Sequence, residues 1–495
     1  MVQLSEEDTL MDRRAFLAGT GAVLLAGPLA AEADARPPPG GHTPVMMSMF
    51  SSDDQSQGPL AVTTNLLHSA SRTLATFMPP TPSLRPLVPL YVVIFFGFVG
   101  YSLMITVFTP MLLGSRSAML PPEATAARRA IVLGLILCLY PAGQFIGSPI
   151  LGALSDRYGR KPVLLASLTA VTACYALIAT ALQIANLPLL AASLFLAGLG
   201  EANIVTAQSA IADVVGVDDR ARFFGYIYMA VSLAYIVGPL AGGKLAEPSV
   251  VSWFTEATPF WVVFALLALT TGLTLVGFRE TNPPGRRQSI GYLAAFATLA
   301  GVVTDRRVRS LYLVNFLLYL AIFGFFRCYP MYLVDEFHLG LSRESELIAW
   351  VGVPIVLANL WLTGALSRRF SMPTLTVWSA VLTGVFMVLV VIPSSQGALW
   401  ITLFLTSLAL AVCLPSCATL LSVSVDERDQ GRVMGNNQAL QVGAESLSGI
   451  IGGLLAAVMV KLSLIALGVV AVVAAAVLVL IRGLGGPGRA APPGR

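Results

Sequence analysis

A chain of 495 residues with 56% hydrophobic and only 11% charged side chains cannot cover a water-soluble surface of its size. Soluble domains give roughly a quarter of their residues to Asp, Glu, Lys and Arg. Lipid makes no such demand, so the composition points to a polytopic membrane protein. The net charge of +4 is too small to suggest a nucleic-acid partner and matters only through where the positive residues fall.

The chain opens on an extension over residues 1–86. Within 12–35, "DRRAFLAGTGAVLLAGPLAAEADA", Arg13-Arg14 precedes the apolar run Ala15–Ala31, and Ala33-Asp34-Ala35 has the small-x-small form of a cleavage site, as in a twin-arginine export signal. A cleaved signal would leave the new N-terminus outside, against the orientation argued below. Three readings stay open: an uncleaved extra segment, a start assigned upstream of Met46, Met47 or Met78, or an unusual leader. The Ser/Thr/Pro-rich stretch 37–86 predicts disorder.

From Pro89 onward the sequence predicts twelve membrane-spanning helices, each about 20 apolar residues long: 89–113, 131–153, 161–183, 187–212, 222–245, 259–278, 310–334, 345–366, 373–393, 398–422, 432–456 and 459–482. Short polar turns at 184–187 and 394–397 suit antiparallel neighbours. The loops after even-numbered spans carry most of the arginines, among them Arg157, Arg160, Arg220, Arg279, Arg306, Arg368 and Arg428, and the tail adds Arg482, Arg489 and Arg495. The other side has only Arg116, Arg128, Arg129, Lys244, Arg343 and Lys461. The positive-inside rule then places both flanks of the twelve-helix body in the cytoplasm, in a cell inner membrane. The five cysteines sit in apolar runs; Cys413 and Cys417 share a helix face but have no nearby His, so neither a metal site nor a disulfide framework is expected.

The two halves repeat. "GALSDRYGRKP" (152–162) returns as "GALSRRFSMPT" (364–374) at an offset of 212, "RFFG" (222–225) as "RVMG" (432–435), and Gly242-Gly243 as Gly452-Gly453, both at 210. "TPMLL" (109–113) returns as "YPMYL" (329–333) at 220. Parallel six-helix repeats of this kind place substrate at the midplane between halves and work by rocking. The expected organisation is the extension 1–86, an N-terminal half over 87–278, a cytoplasmic linker over 279–309, a C-terminal half over 310–482 and a cytoplasmic tail over 483–495.

"GALSDRYGRK" (152–161) closely resembles the loop 2–3 signature of the major facilitator superfamily. "AYIVGPLAGG" (234–243) resembles the fifth-helix motif of its antiporter branch, with Ala234 departing from the first position, and "GEANIVTAQSAIADVVGVDDRARFFGYI" (200–227) is similar to helices 4–5 of the twelve-helix drug:proton antiporters, including the tetracycline exporters. The resemblance covers 89–482. It implies an all-α fold of twelve transmembrane helices in two six-helix pseudo-repeats, and a conformational latch at Gly152, Asp156, Arg157, Gly159, Arg160 and Lys161. Gly152 would let helices approach, while Asp156 would accept from backbone amides or pair with an arginine across the half interface. Asp213 would close the fourth span beside this loop, paired with Arg157 or Arg222. In the second copy Arg368 and Ser371 replace the aspartate and glycine, which puts a latch there in doubt. Gly238 and Pro239 would loosen the fifth span, and Gly242 and Gly243 would let a neighbour pack against it. The arginine that the family carries in the middle of the fourth span is missing, with Leu194 and Leu196 in its region.

Intramembrane charges are costly and mark functional candidates. They are Glu201 in the fourth span, Arg327 in the seventh and Glu445 in the eleventh. Either glutamate could bind and release a proton; Arg327 could hold an anionic substrate or neutralise one of them. Asn203, Gln208, Asn437, Gln438 and Gln441 lie on the same helices, and the spacing of Gln438, Gln441 and Glu445 puts them on one face toward a cavity. The helix-7 aromatics, Phe323, Phe325, Phe326 and Tyr329, could line an apolar pocket or simply pack. No phosphate-binding G-x-x-x-x-G-K-[ST] loop is present, and neither an enzyme nor a cofactor is expected. The reading is a monomeric, proton-coupled exporter of a small amphipathic or drug-like molecule, with protons, substrate and the bilayer as partners. The rivals are an uptake symporter for an organic anion or metabolite, with Arg327 as clamp, and a non-transporting sensor or scaffold.

Overall fold

The computed structural model describes residues 87–114, 117–215, 217–282, 302, 308–425 and 427–484. The extension with its signal-like segment, most of the predicted linker and the tail beyond Leu484 lie outside the described residues. Twelve helices long and apolar enough to cross a membrane are present among them: α1 (Val88–Leu113), α2 (Ala126–Tyr158), α3 (Arg160–Gln183), α4 (Leu187–Val214), α5 (Val217–Leu245), α6 (Thr258–Gly277), α7 (Arg309–Phe337), α8 (Leu341–Arg369), α9 (Met372–Leu389), α10 (Gln396–Ser422), α11 (Glu427–Val458) and α12 (Val460–Leu484).

Local chemistry fixes several ends. Thr125 caps α2 by accepting from Arg128 N at 3.2 Å, and Asn186 caps α4 by accepting from Leu189 N at 2.9 Å, each satisfying an amide that the helix leaves free. α7 stops where His338 turns left-handed (φ 50). Between α2 and α3 the chain reverses at Gly159, whose φ of 105 and ψ of 158 lie in a region open essentially to glycine alone. The last turns of α1 are tied down by Arg129, a buried side chain that donates to Gly114 O at 2.7 Å and to Ala124 O at 3.2 Å, with longer bonds to Leu112 O and Pro121 O. A cation at a helix C-terminus meets both the free carbonyls and the dipole.

Two helices depart from the even apolar runs the sequence suggests. α4 breaks at Ala202 into Leu187–Glu201 and Asn203–Val214, and α8 contains a π-helical turn over Ala358–Leu362. α8 also starts four residues before the sequence-based boundary, so polar "LSRE" (341–344) belongs to the helix.

The helix pairings repeat between halves. α1 packs on α5 and α6, α3 on α4 and α6, and α2 on α4; α7 packs on α11 and α12, α9 on α10 and α12, and α8 on α10. Each half has its own apolar core. The halves meet through α2 against α11 and, by the same pseudo-symmetry, α8 against α5, with α1 touching α7 and α8.

That interface is closed at one end and open at the other. At the end away from loop 2–3, a Cβ on Gly134 of α2 would lie 2.7 Å from Gly453 Cα, and one on Gly449 of α11 would lie 3.1 Å from Cys138 N, so backbone rides on backbone. There too, Gly243 of α5 abuts Ser345 of α8, and Lys244 binds Ser342 and, at 2.8 Å, Glu346. At the loop 2–3 end, Gly152 of α2, Gly225 of α5, Gly364 of α8 and Gly435 of α11 all face open space. These four are equivalent pairs of the internal repeat. Gly152, where close helix approach was expected, has nothing within 4 Å of a Cβ position in this conformation.

Candidate functional site

Of the three candidate charges, Arg327 and Glu445 stand on helices packed together at the junction of the halves, while Glu201 lies within the N-terminal half against α1. Arg327 of α7, 1% exposed, points between α1 and α11. Its Nε donates to Ser448 Oγ at 3.1 Å and to the backbone oxygen of Glu445 at 3.3 Å; its Nη2 donates to Tyr101 Oη at 3.0 Å and lies 3.6 Å from Glu445 Oε1. Tyr101 of α1 in turn donates to Glu445 Oε1. One carboxylate is thus held by an arginine of its own half and a tyrosine of the other. A buried charge is tolerable only when paired and hydrogen-bonded in this way. Tyr101 carried no signal as a site residue in the sequence, because a tyrosine in an apolar span reads as packing.

Glu201 ends the first segment of α4 at the Ala202 break. It is 2% exposed, and its Oε2 has no hydrogen-bond partner. Gly97 of α1 leaves the space its carboxyl fills. Tyr140 of α2 reaches toward this carboxyl without completing hydrogen-bond geometry. The Tyr140 ring stacks on Tyr101, centroids 5.0 Å apart and planes 25° from parallel, so a tyrosine pair runs from the Glu201 side to the Arg327–Glu445 pair. Beside it lies a void of about 10 Å³, lined by Tyr101, Tyr140, Phe108, Leu194 and Arg327 among others. That is far below the roughly 300–1,000 Å³ of sites that enclose drug-sized ligands.

The polar neighbours separate. Asn203 is buried with neither amide atom hydrogen-bonded, as is Thr206 Oγ1, so the α4 break carries several unmet polar groups. Gln208 is half-buried. On α11, Gln441 is half-buried and Gln438 is exposed. The buried side chain is Asn437, which accepts from Asn315 at 2.9 Å and donates to Tyr319 Oη at 2.7 Å, joining α11 to α7. Gln438, expected on the cavity-facing side with Gln441 and Glu445, is exposed, while its neighbour Asn437 is buried. Of the helix-7 aromatics, Phe325 and Tyr329 are buried and stack at 5.1 Å within the C-terminal core.

At the loop 2–3 end, Asp156 pairs with Arg160 at 2.6 Å, and Arg160 with Asp213 at 3.0 Å. Glu280 accepts from the first backbone amides of α3, Arg160 N at 2.8 Å and Lys161 N at 3.2 Å. Lys161 Nζ donates to Leu275 O, and Asn282 donates to Asp156 O. All of these partners belong to the N-terminal half or to the first residues of the linker. Asp213 meets Arg160 rather than Arg157, which lies over the Tyr158 ring; the side chain of Arg222 lies outside the described residues. Arg160 wins by geometry, since it starts α3 between the two acids. The α5 glycines divide their work: Gly238 and Gly242 pack on Ser102, Leu103 and Thr106 of α1, and Gly243 on α8. Ser102 donates to Ala234 O at 3.1 Å, about a turn before the buried Pro239. Among the described residues no group of His, Cys, Asp and Glu could hold a metal.

The Major Facilitator Superfamily profile matches residues 90–374 and 311–495. The chain belongs to the major facilitator superfamily. Family and fold are those of transporters, and this is a multi-pass membrane protein. The chain is 29% identical over 326 residues to the class C tetracycline resistance protein of Escherichia coli, covering 65% of this chain and 78% of that one. It is also 29% identical over 353 residues to the class B protein of the same organism, covering 67% and 79%. Among solved structures, the human organic anion transporter MFSD10 aligns over 81% of this chain and 100% of its own with a TM-score of 0.60 and 20% identity. The D-xylose-proton symporter aligns over 79% and 97% with a TM-score of 0.64 and 14% identity. These structures share the superfamily fold.

Proposed function

We propose that this transporter exports a small amphipathic or drug-like molecule in exchange for protons, by alternating access. The observation that carries the reading is the bond between halves at Glu445. Its carboxylate holds Arg327 from its own half and the Tyr101 hydroxyl from the other. A proton arriving on Glu445 removes the carboxylate charge, weakens its hold on Tyr101 and leaves Arg327 without a counter-charge, so protonation and the contact between halves are linked. Glu201 serves as the second proton site, with the Tyr140–Tyr101 pair between them. The likeness to tetracycline resistance proteins supports drug efflux as the direction.

With loop 2–3 in the cytoplasm of an inner membrane, the described conformation faces inward, and the small cavity is the narrow floor of the path. The network Asp156–Arg160–Asp213 is then the resting form of the latch. Closing that end brings α11 against Gly152 and offers Asp156 a partner from the other half. The protein works as a monomer. A second reading, uptake of an organic anion, draws on the same network: once Glu445 is neutral, Arg327 is a buried cation free to hold a carboxylate.

The test is proton flux in proteoliposomes of the purified protein carrying an internal pH dye, on addition of lipophilic cations, tetracycline-like compounds or organic acids. Proton movement against the compound, lost in Glu445→Gln or Glu201→Gln, is expected. Movement in the same direction, abolished by Arg327→Ala, favours the second reading. The absence of flux with every compound would sink both.

A further inference from the structure

The first turns of α8 hold two acidic side chains two residues apart with opposite surroundings. Glu346 is partly exposed and takes both nearby cations, Lys244 of α5 at 2.8 Å and Arg343 of its own helix at 3.6 Å. Glu344 is fully buried, and neither of its carboxylate oxygens has a hydrogen-bond partner. The elements packed against this stretch offer it no counter-charge. α1 and α10 carry no charged residue at all. On α5 the charge at this end is Lys244, already engaged by Glu346 and Ser342. On α7, Asp335, Glu336 and the capping His338 are exposed, and Glu336 is bound by Lys461 at 2.6 Å. The remaining titratable groups of α7 nearest this end are the Tyr329 and Tyr332 hydroxyls, both without partners. The N-terminal turn of a helix favours an anion, yet the oxygens of Glu344 accept from none of its amides. An unpaired carboxylate is not sustained in such surroundings, so in this conformation Glu344 is a neutral carboxylic acid.

Its neighbours give this protonation state a consequence. Ser345, the next residue, is the side chain packed on Gly243, and Ser342 and Glu346 hold Lys244. Glu344 therefore sits among the contacts that seal α5 against α8 at the end away from loop 2–3. We propose that Glu344 is a proton-binding site of this gate: the carboxyl takes up one proton from the adjoining water before α5 and α8 can close, and loses it only after they part. The charged form is compatible with an open gate, where water reaches it, and incompatible with the closed one. This adds a third protonatable carboxyl, separate from Glu201 and Glu445. It rests on alternating access but on neither the substrate nor the direction of transport.

The gate can be followed without substrate. Spin labels at Val250→Cys, exposed in the loop after α5, and Ser394→Cys, exposed in the loop between α9 and α10, report the separation of the halves at this end in lipid nanodiscs, where one pH bathes both faces. The five native cysteines are all buried. Closure that binds one proton makes the closed-to-open ratio fall by about tenfold per pH unit above the titration point. The wild-type background should show that fall, Glu344→Gln should no longer open as the pH rises, and Glu346→Gln should keep the pH dependence. Glu344→Leu carries the same expectation as Glu344→Gln should the amide fail to insert. A wild-type distance distribution that ignores pH, or a Glu344→Gln variant that titrates like wild type, overturns the proposal. Because no flux is measured, failure here leaves the Glu445 coupling untouched, and loss of flux leaves this result standing.

Discussion

Removing one side of the Arg327–Glu445 pair should hurt far more than removing both. Arg327 is 1% exposed and Glu445 is 8% exposed, so in Glu445→Gln the guanidinium keeps Ser448 and Tyr101 but loses its counter-charge at 3.6 Å. Breaking a buried pair from one side costs about 3–5 kcal/mol, whereas replacing both members by apolar groups of similar volume is near neutral or better. The prediction is a strongly non-additive cycle: Arg327→Met and Glu445→Met each lose about 3–5 kcal/mol, and the double variant loses less than either, a coupling of several kcal/mol. Reversible unfolding of the purified protein in detergent or bicelles supplies the four stabilities, and the proteoliposome assay the function. The double variant should be well folded and unable to couple protons, which separates structure from transport in one protein. Single losses under about 1 kcal/mol that simply add would show that the pair is wet in solution, and the coupling argument built on its burial would fall with it.

Three further perturbations test the frame around the pair. Gly453→Val adds bulk where even a lone Cβ would lie 2.8 Å from Ala130 O and 2.9 Å from Gly134 Cα; about 1–3 kcal/mol of overpacking should shift the conformational equilibrium about 5–150-fold toward separation at that end, read by the same spin-label distances. An unchanged distribution would mean the contact does not set the state. Arg129→Ala frees the carbonyls at the end of α1 and should cost about 1.5–3 kcal/mol in unfolding experiments while leaving proton coupling intact. Gly159→Ala forces a side chain into φ 105 at about 1–3 kcal/mol and should disorder the Asp156–Arg160–Asp213 network, slowing transport more than binding; equal rates in wild type and variant would remove the turn from the mechanism.

What the sequence made legible follows from the solvent. In lipid every span must close its own backbone hydrogen bonds, so hydropathy alone located twelve helices, and the repeat of "GALS" and of the glycine pairs located the two halves. Charges within spans were equally visible, because their cost makes them rare: Glu201, Arg327 and Glu445 stood out without any structure. Partners were not visible, since pairing is decided by helix rotation and tilt. Arg160 rather than Arg157 meets Asp213, Asn437 rather than Gln438 is buried, and Tyr101, silent in the sequence, joins the two halves at Glu445. Glu344 was hidden for a different reason. Its polar neighbours Ser342, Arg343 and Glu346 look like loop, and the sequence places the start of α8 after it. Its burial comes from the packing of α8 on α5 and α1, which a hydropathy profile does not register. Helix ends are also where single-sequence boundaries are weakest. Gly152 faces open space here; on the proposed inward-facing reading, the contact its motif implies belongs to the other state. Glu344 and Gly152 form a matched pair at opposite ends: one is an acid that must be neutral for its end to close, the other a bare backbone that can be covered only once its own end does.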